Sequence, residues 1–255
     1  MTSLYVIPVS LMLILLGSLT FKRLTSAKPE GAAILYRRSG RLALLGILLT
    51  TSYVLLMPPV YIWMEEMLPL SNGTDLISKY CALLAVAFLG EHLSRAYNST
   101  VALRWNVGTR GAIAIGLATV GLFATLVTAD TPQPSPQLAN YADQLPVDIN
   151  TWIMLAYVAY VGAPLIRPTF RDARRNPLRI GRLGSALICT GLALSTLRAL
   201  AYFPLELPAG PEAFYMFMLV SYISTACVVL GLWAFAFARR RQLPRNTLDI
   251  DLSIE

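Results

Sequence analysis

Seven long apolar runs alternate with short polar segments along this chain: 4–21, 42–63, 76–96, 111–129, 151–166, 183–203 and 213–238. At about 1.5 Å of rise per helical residue, runs of this size suit the ~30 Å hydrocarbon core of a bilayer. The pattern predicts an all-α polytopic membrane protein. Residues 1–238 form a bundle of seven transmembrane helices, followed by a short tail, 239–255. The first run has no basic residue before it, and Lys22 and Arg23 directly follow it. A cleaved signal peptide carries its charge ahead of the apolar stretch, so this run is expected to be retained. Pro58 and Pro59 fall inside the second run and should break or bend it near one end.

The polar segments differ in sign. Residues 167–182 place six arginines (167, 171, 174, 175, 179, 182) against Asp172. Segment 21–41 and the connections after 96 and 238 are also basic, whereas 64–75 and 130–150 carry acids and no base. Nineteen of the 21 Lys and Arg fall in the basic set, leaving Lys79 and Arg198. Because Lys and Arg stay on the cytoplasmic face, the expected topology is N-terminus outside and C-terminus cytoplasmic, in a multi-pass cell-membrane protein such as one of the bacterial plasma membrane. Trp63 and Trp152 then lie at outer boundaries, Trp105 and Trp233 at or near inner ones, where indole rings favour the headgroup level.

Composition agrees with a lipid-embedded chain. The 255 residues are 56% hydrophobic and 14% charged, against about 25% charged in soluble domains. The net charge of +7 does not indicate nucleic acid, because the bases sit in clusters between apolar runs and offer no free basic face. The expected partners are the lipid bilayer and, at the basic segments, anionic lipid or a cytoplasmic protein. No sequence signature sets the oligomeric state. Cys81, Cys189 and Cys227 all lie within runs, and His92 is the single histidine, so neither a disulfide framework nor a metal site is expected. Soluble-enzyme motifs and a phosphate-cradling glycine loop are missing from the sequence; no enzyme activity and no cofactor are expected. A retinal protein would need a lysine in the seventh run, which has none, and the outer cysteine expected of a G-protein-coupled receptor is missing.

The candidate chemistry lies in charges that hydrocarbon tolerates poorly. Arg198 shares a helical stripe with Gly184, Gly191, Ser195 and Tyr202. It either contacts an anion in a cavity or snorkels to Glu206 or Glu212 at the outer interface. Tyr215, Tyr222 and Thr225 give the seventh run a polar side that can face it. Asp75 precedes Lys79 by one helical turn, and Glu91 precedes Arg95 likewise, the favourable order for ion pairs that neutralise themselves. The candidate ligand or substrate residues are therefore Arg198, Tyr202, Ser195, Tyr222 and Lys79. Segment 131–146 is Pro-rich and polar, and is expected to be an irregular outer connector. Arg38-Ser39-Gly40-Arg41-Leu42 and Arg179-Ile180-Gly181-Arg182-Leu183 echo each other, which would relate the first three helices to the last three as parallel repeats.

Pro58-Pro59, Ser71-Asn72 ahead of the third run and Leu178-Arg179-Ile180-Gly181-Arg182-Leu183 ahead of the sixth resemble the membrane region of an uncharacterised actinobacterial family of seven-helix integral membrane proteins, some labelled transporters. The resemblance covers most of residues 1–240 and implies no catalytic residues. Its members append a cytoplasmic domain after the last helix, where this sequence has the acidic tail NTLDIDLSIE. Two functions from different classes follow. The expected one is a non-enzymatic sensory, regulatory or partner-binding membrane protein, because no acidic residue lies at mid-span. The other is a small-solute transporter with its site near Arg198, between the sixth and seventh helices. A cavity with Arg198 on one wall and Tyr222 across from it would put the transporter first.

Overall fold

The computed structural model describes residues 33–202, 204 and 210–242, with Ser10 and Gly17, and side chains within 43–202 and 217–237. Eight α-helices make up the described chain: α1 Ala33–Leu55, α2 Pro58–Glu65, α3 Gly73–Ala96, α4 Thr100–Asn106, α5 Thr109–Thr128, α6 Leu145–Arg175, α7 Arg179–Ala201 and α8 Gly210–Gln242. No strand occurs among the described residues. Among the described residues, five helices are long and apolar enough to cross a membrane: α3, α5, α6, α7 and Phe217–Phe237 of α8. The bent pair α1–α2 makes six if it is counted as one span. Apart from Ser10 and Gly17, the expected first span at 4–21 lies outside the described residues, as does the tail beyond Gln242.

Three boundaries depart from the sequence pattern, each for a local reason. Pro58 and Pro59 open α2 after an extended Met57, because a proline lacks the N–H that a helix interior needs but fits its first turn. The chain turns by 84° there. The expected span 42–63 is thus a helix ending at Leu55 and a short helix laid across the end of the bundle. Tyr61 of α2 is fully buried while Ile62 and Trp63 are exposed. The arginine stretch is not a loop. Helix α6 continues past Pro164 and Pro168 to Arg175, and α7 begins at Arg179. Asp172, the lone acid there, accepts from Ser185 Oγ of α7 and from Asn176 Nδ2 at 3.1 Å, which ties the hairpin together. The connection after α3 holds α4, whose Ser99 cap accepts from the Ala102 N–H.

Cross-helix contacts fix the directions. Gly191 and Arg198 of α7 meet Ser224 and Ser221 of α8, an antiparallel pairing. Asp148 of α6 meets Tyr202, and Gly162 meets Leu192, so α6 and α7 are antiparallel as well. Lys79 and Gly90 of α3 meet Asn150 and Val161 of α6 in parallel. Ser52 of α1 bonds Ser78 of α3, and the Tyr53 and Tyr222 rings, 6.2 Å apart, bring α1 round to α8. Helices α1, α3, α6, α7 and α8 therefore form a ring, with α5 packed outside it on α3 and α6. One end of the bundle carries Glu65, Asp130, Asp143 and Asp148; the other carries Arg95, Arg104, Arg110 and the arginines of the α6–α7 hairpin.

The outer surface is apolar, unlike that of a water-soluble bundle, and the ring interior is polar only toward the acidic end. On α5, Ile113, Leu117, Val120 and Phe123 are at least half exposed. Apolar surface gains nothing from burial against protein when the solvent is lipid. Close approach then depends on small residues: a Cβ on Gly191 would stand 2.5 Å from the Ser224 carbonyl oxygen, so only glycine lets α7 and α8 pack so near.

Candidate ligand cavity

The helices of the ring line a cavity of about 260 Å³ that is partly open to the outside. Toward the acidic end its wall is polar: Asp75 and Lys79 from α3, Ser195 and Arg198 from α7, Ser221 and Tyr222 from α8. Toward the basic end the wall is hydrocarbon, with Leu89 and Leu93 facing Val161 and Leu165 of α6 and Val228 and Leu232 of α8.

Lys79 lies near the start of α3 with its side chain 15% exposed. Its Nζ lies 2.6 Å from Asp75 Oδ2 and donates to Asn150 Oδ1 at 2.6 Å. Asn150 in turn donates to the Leu122 carbonyl at 2.9 Å and to Thr125 Oγ1 at 2.7 Å, anchoring the amide to α5. Asp75 is only 1% exposed, and its Oδ1 has no hydrogen-bond partner. A buried carboxylate oxygen in that state costs stability unless something else donates to it.

Arg198 is 6% exposed and donates to Ser221 Oγ. It is buried against α8 in the last turn of α7, toward the expected outer interface. Glu206 and Glu212, the acids expected to draw it there, lie outside the described side chains. Ser195 hydrogen-bonds Ser224, which donates to the Gly191 carbonyl in the same α7–α8 seam. Of the five residues singled out from sequence, Arg198, Ser195, Tyr222 and Lys79 share this cavity. Tyr202 does not line it. Its hydroxyl turns to α6, donating to Asp148 Oδ1 at 3.0 Å, and its ring packs near Trp152 and Ala159.

Sequence reasoning missed Asn150, Gln137 and the Ser52–Ser78 pair. Asn150 stands at the edge of the expected fifth run, where a polar residue looks like loop; helix α6 in fact starts five residues earlier, at Leu145. Gln137 lies in the segment expected to be an irregular connector. That segment is folded: Leu138 is fully buried and Ser135 nearly so. Asn72 pins it. The Asn72 amide donates to the Thr131 and Gln133 carbonyls at 3.2 and 3.1 Å, and its Oδ1 accepts from the Ser135 N–H and Tyr61 OH, each at 2.7 Å. Asn72 holds a left-handed conformation, φ 58°, which asparagine tolerates better than most residues. Glu65 accepts from the Asn72 and Thr74 N–H groups and fixes the start of α3. From this knot Gln137 Nε2 reaches Tyr222 OH at 2.8 Å, connecting the loop to the cavity wall.

At the basic end, Tyr97 OH lies 3.0 Å from Ser185 Oγ, itself bonded to Asp172. Burial pushes the Tyr97 phenol up to about 12, with Asp172 adding to the rise. Glu91 and Arg95 pair at 2.8 Å. Among the described residues no cluster of His, Cys, Asp and Glu could hold a metal ion. No protein-family model matches the chain, and no curated protein or solved structure resembles it closely enough to count as a match.

Proposed function

We propose that this chain is an integral membrane protein that captures a small charged solute in the ring cavity near Arg198, as the binding step of transport. The observation that carries this reading is that buried Arg198 and half-buried Lys79 line one cavity, with Tyr222 on the α8 wall. Charged groups held at membrane depth are expensive and mark solute or ion pathways. Asp75 supplies the buried acid that ion-coupled transport generally uses, and its unpartnered Oδ1 gives a coupling proton or cation a place to bind. The seven-span topology with the N-terminus outside, the bacterial plasma membrane and membership of the actinobacterial seven-helix family belong to the same proposal. The alternation of basic and acidic ends supports the topology, and the short motifs at Pro58-Pro59, Ser71-Asn72 and 178–183 are what suggests the family.

A sensory or regulatory role is the second reading, favoured by the Gln137–Tyr222 hydrogen bond. A ligand that displaces Tyr222 would release the acidic-end loop and report occupancy to a partner. Flux separates the two. In proteoliposomes carrying purified protein, transport predicts solute movement that Arg198→Ala abolishes while Arg198→Lys retains part. A sensor predicts ligand binding with the same Arg198 dependence and no flux. Binding and flux both indifferent to Arg198 would remove the cavity from either account.

A further inference from the structure

The corner where α4, α5 and α6 meet at the basic end carries charge and hydrocarbon side by side. Trp105 of α4 is exposed, its ring 5.5 Å from that of Tyr160 on α6, and the Tyr160 hydroxyl donates to the Trp105 carbonyl at 2.8 Å. Arg167 follows Tyr160 by about two helical turns, so it falls on the same face of α6, the one turned to α4. Asn150 of α6 bonds Leu122 and Thr125 of α5, and Gly121 meets Ile153, so these two helices run antiparallel. Equal steps along both from the Gly121–Ile153 contact put Arg110, the second residue of α5, level with Pro164, about one turn short of Arg167. Arg104 precedes Trp105 on α4. Arg104, Arg110 and Arg167 are all exposed, and no carboxylate among the described residues pairs with them. The acids of this end are engaged elsewhere: Glu91 holds Arg95, and Asp172 accepts from Ser185 and Asn176. Further along α5 the surface is hydrocarbon, with Ile113, Leu117 and Val120 exposed.

We propose that this corner binds an anionic phospholipid, with its phosphate held by Arg104, Arg110 and Arg167 and an acyl chain lying along Ile113, Leu117 and Val120. Arginine presents a planar fork of donors that matches phosphate oxygens two at a time. The Trp105 indole sets the depth, because such rings favour the headgroup level. Basic groups gathered between helices at that level recognise anionic headgroups. An acidic peptide would satisfy the arginines and leave the adjoining hydrocarbon unmatched, whereas a phospholipid matches both. A zwitterionic lipid brings its own cation to three others, so the site discriminates by charge. None of these residues lines the ring cavity, and the proposal stands or falls apart from the solute reading above.

The test titrates full-length protein in neutral detergent with phosphatidylglycerol or phosphatidylcholine and counts bound lipids by native mass spectrometry. One phosphatidylglycerol should bind about tenfold more tightly than phosphatidylcholine. The triple variant Arg104→Gln/Arg110→Gln/Arg167→Gln should remove that preference. A control, Arg175→Gln/Arg179→Gln/Arg182→Gln, takes the same charge from the α6–α7 hairpin and should weaken binding less than about twofold. All six arginines are exposed, so both variants should fold. In nanodiscs, phosphatidylglycerol brominated in its upper acyl chains should quench tryptophan fluorescence more than brominated phosphatidylcholine does, and Trp105→Phe should remove the excess. Equal losses from the two triple variants would mean general attraction to a basic face and would overturn the proposal. So would phosphatidylglycerol bound no better than phosphatidylcholine, or an excess of quenching that survives Trp105→Phe. Displacement of the lipid by glycerol phosphate at equal concentration would assign the arginines to a soluble phosphate and overturn it as well.

Discussion

The two halves of the ring are built from the same helices and held together by different forces. Toward the acidic end, α3, α6, α7 and α8 are joined by polar side chains: Lys79 with Asp75 and Asn150, Tyr202 with Asp148, Arg198 with Ser221. Above them Asn72 pins the 131–137 segment. Toward the basic end the contacts are mostly hydrocarbon, with Leu93, Leu165, Ile188, Leu192 and Leu232 packed as one core. Gly184 and Gly231 bring α7 and α8 together there. In lipid, apolar burial drives little, so the second half depends on tight packing and the first on bonds too costly to leave unmade. Hydrogen bonds can be exchanged for bonds to a ligand, whereas interlocked backbones cannot. The acidic-end half is therefore the part suited to opening, and the basic-end half is its anchor.

Breaking the buried ion pair should have the largest effect. Lys79→Met leaves Asp75 charged and alone, and should cost about 3–5 kcal/mol of stability. Adding Asp75→Asn should restore much of it, because the penalty comes from the stranded carboxylate. Thermal unfolding in nanodiscs checks both. Asn72→Ala comes next, at about 3 kcal/mol, since several loop backbone groups lose their partners at once at ~1–3 kcal/mol each. Limited proteolysis should then cut within 131–144 while the basic end stays intact. Gly231→Val is smaller, about 1–3 kcal/mol, because the added carbon would meet Ile188 at 2.6 Å and the Gly184 carbonyl at 2.7 Å. It should loosen the α7–α8 seam without raising cleavage of the loop, so the two halves would be separated by experiment.

Helix content and the sign of the two ends were legible from hydropathy and charge, because those properties are local. The stripe through Gly184, Gly191, Ser195 and Arg198 was legible too, because helical period alone puts those residues on one face. Tyr202 shares the period but ends against Asp148 on α6; a stripe cannot say which neighbour it meets. The depth of Lys79 was hidden for a similar reason. Its near ion partner was visible at Asp75, while Asn150, which draws it into the bundle, is 71 residues away. The fold of segment 131–146 was illegible because proline-rich polar sequence looks like a connector until Asn72, from another helix start, supplies its hydrogen bonds. The arginine stretch misled through its charge density: six arginines look solvated, yet four of them continue α6.

Thiol accessibility tests the loop-covered polar end of the cavity most directly. In a background with Cys81, Cys189 and Cys227 replaced by serine, Ser195→Cys is treated with a membrane-impermeant methanethiosulfonate and compared with the exposed Thr128→Cys. The account predicts that Ser195→Cys reacts far more slowly, and that adding Asn72→Ala accelerates it at least about tenfold by releasing the loop. Reaction at the rate of Thr128→Cys, or a rate indifferent to Asn72, would contradict it.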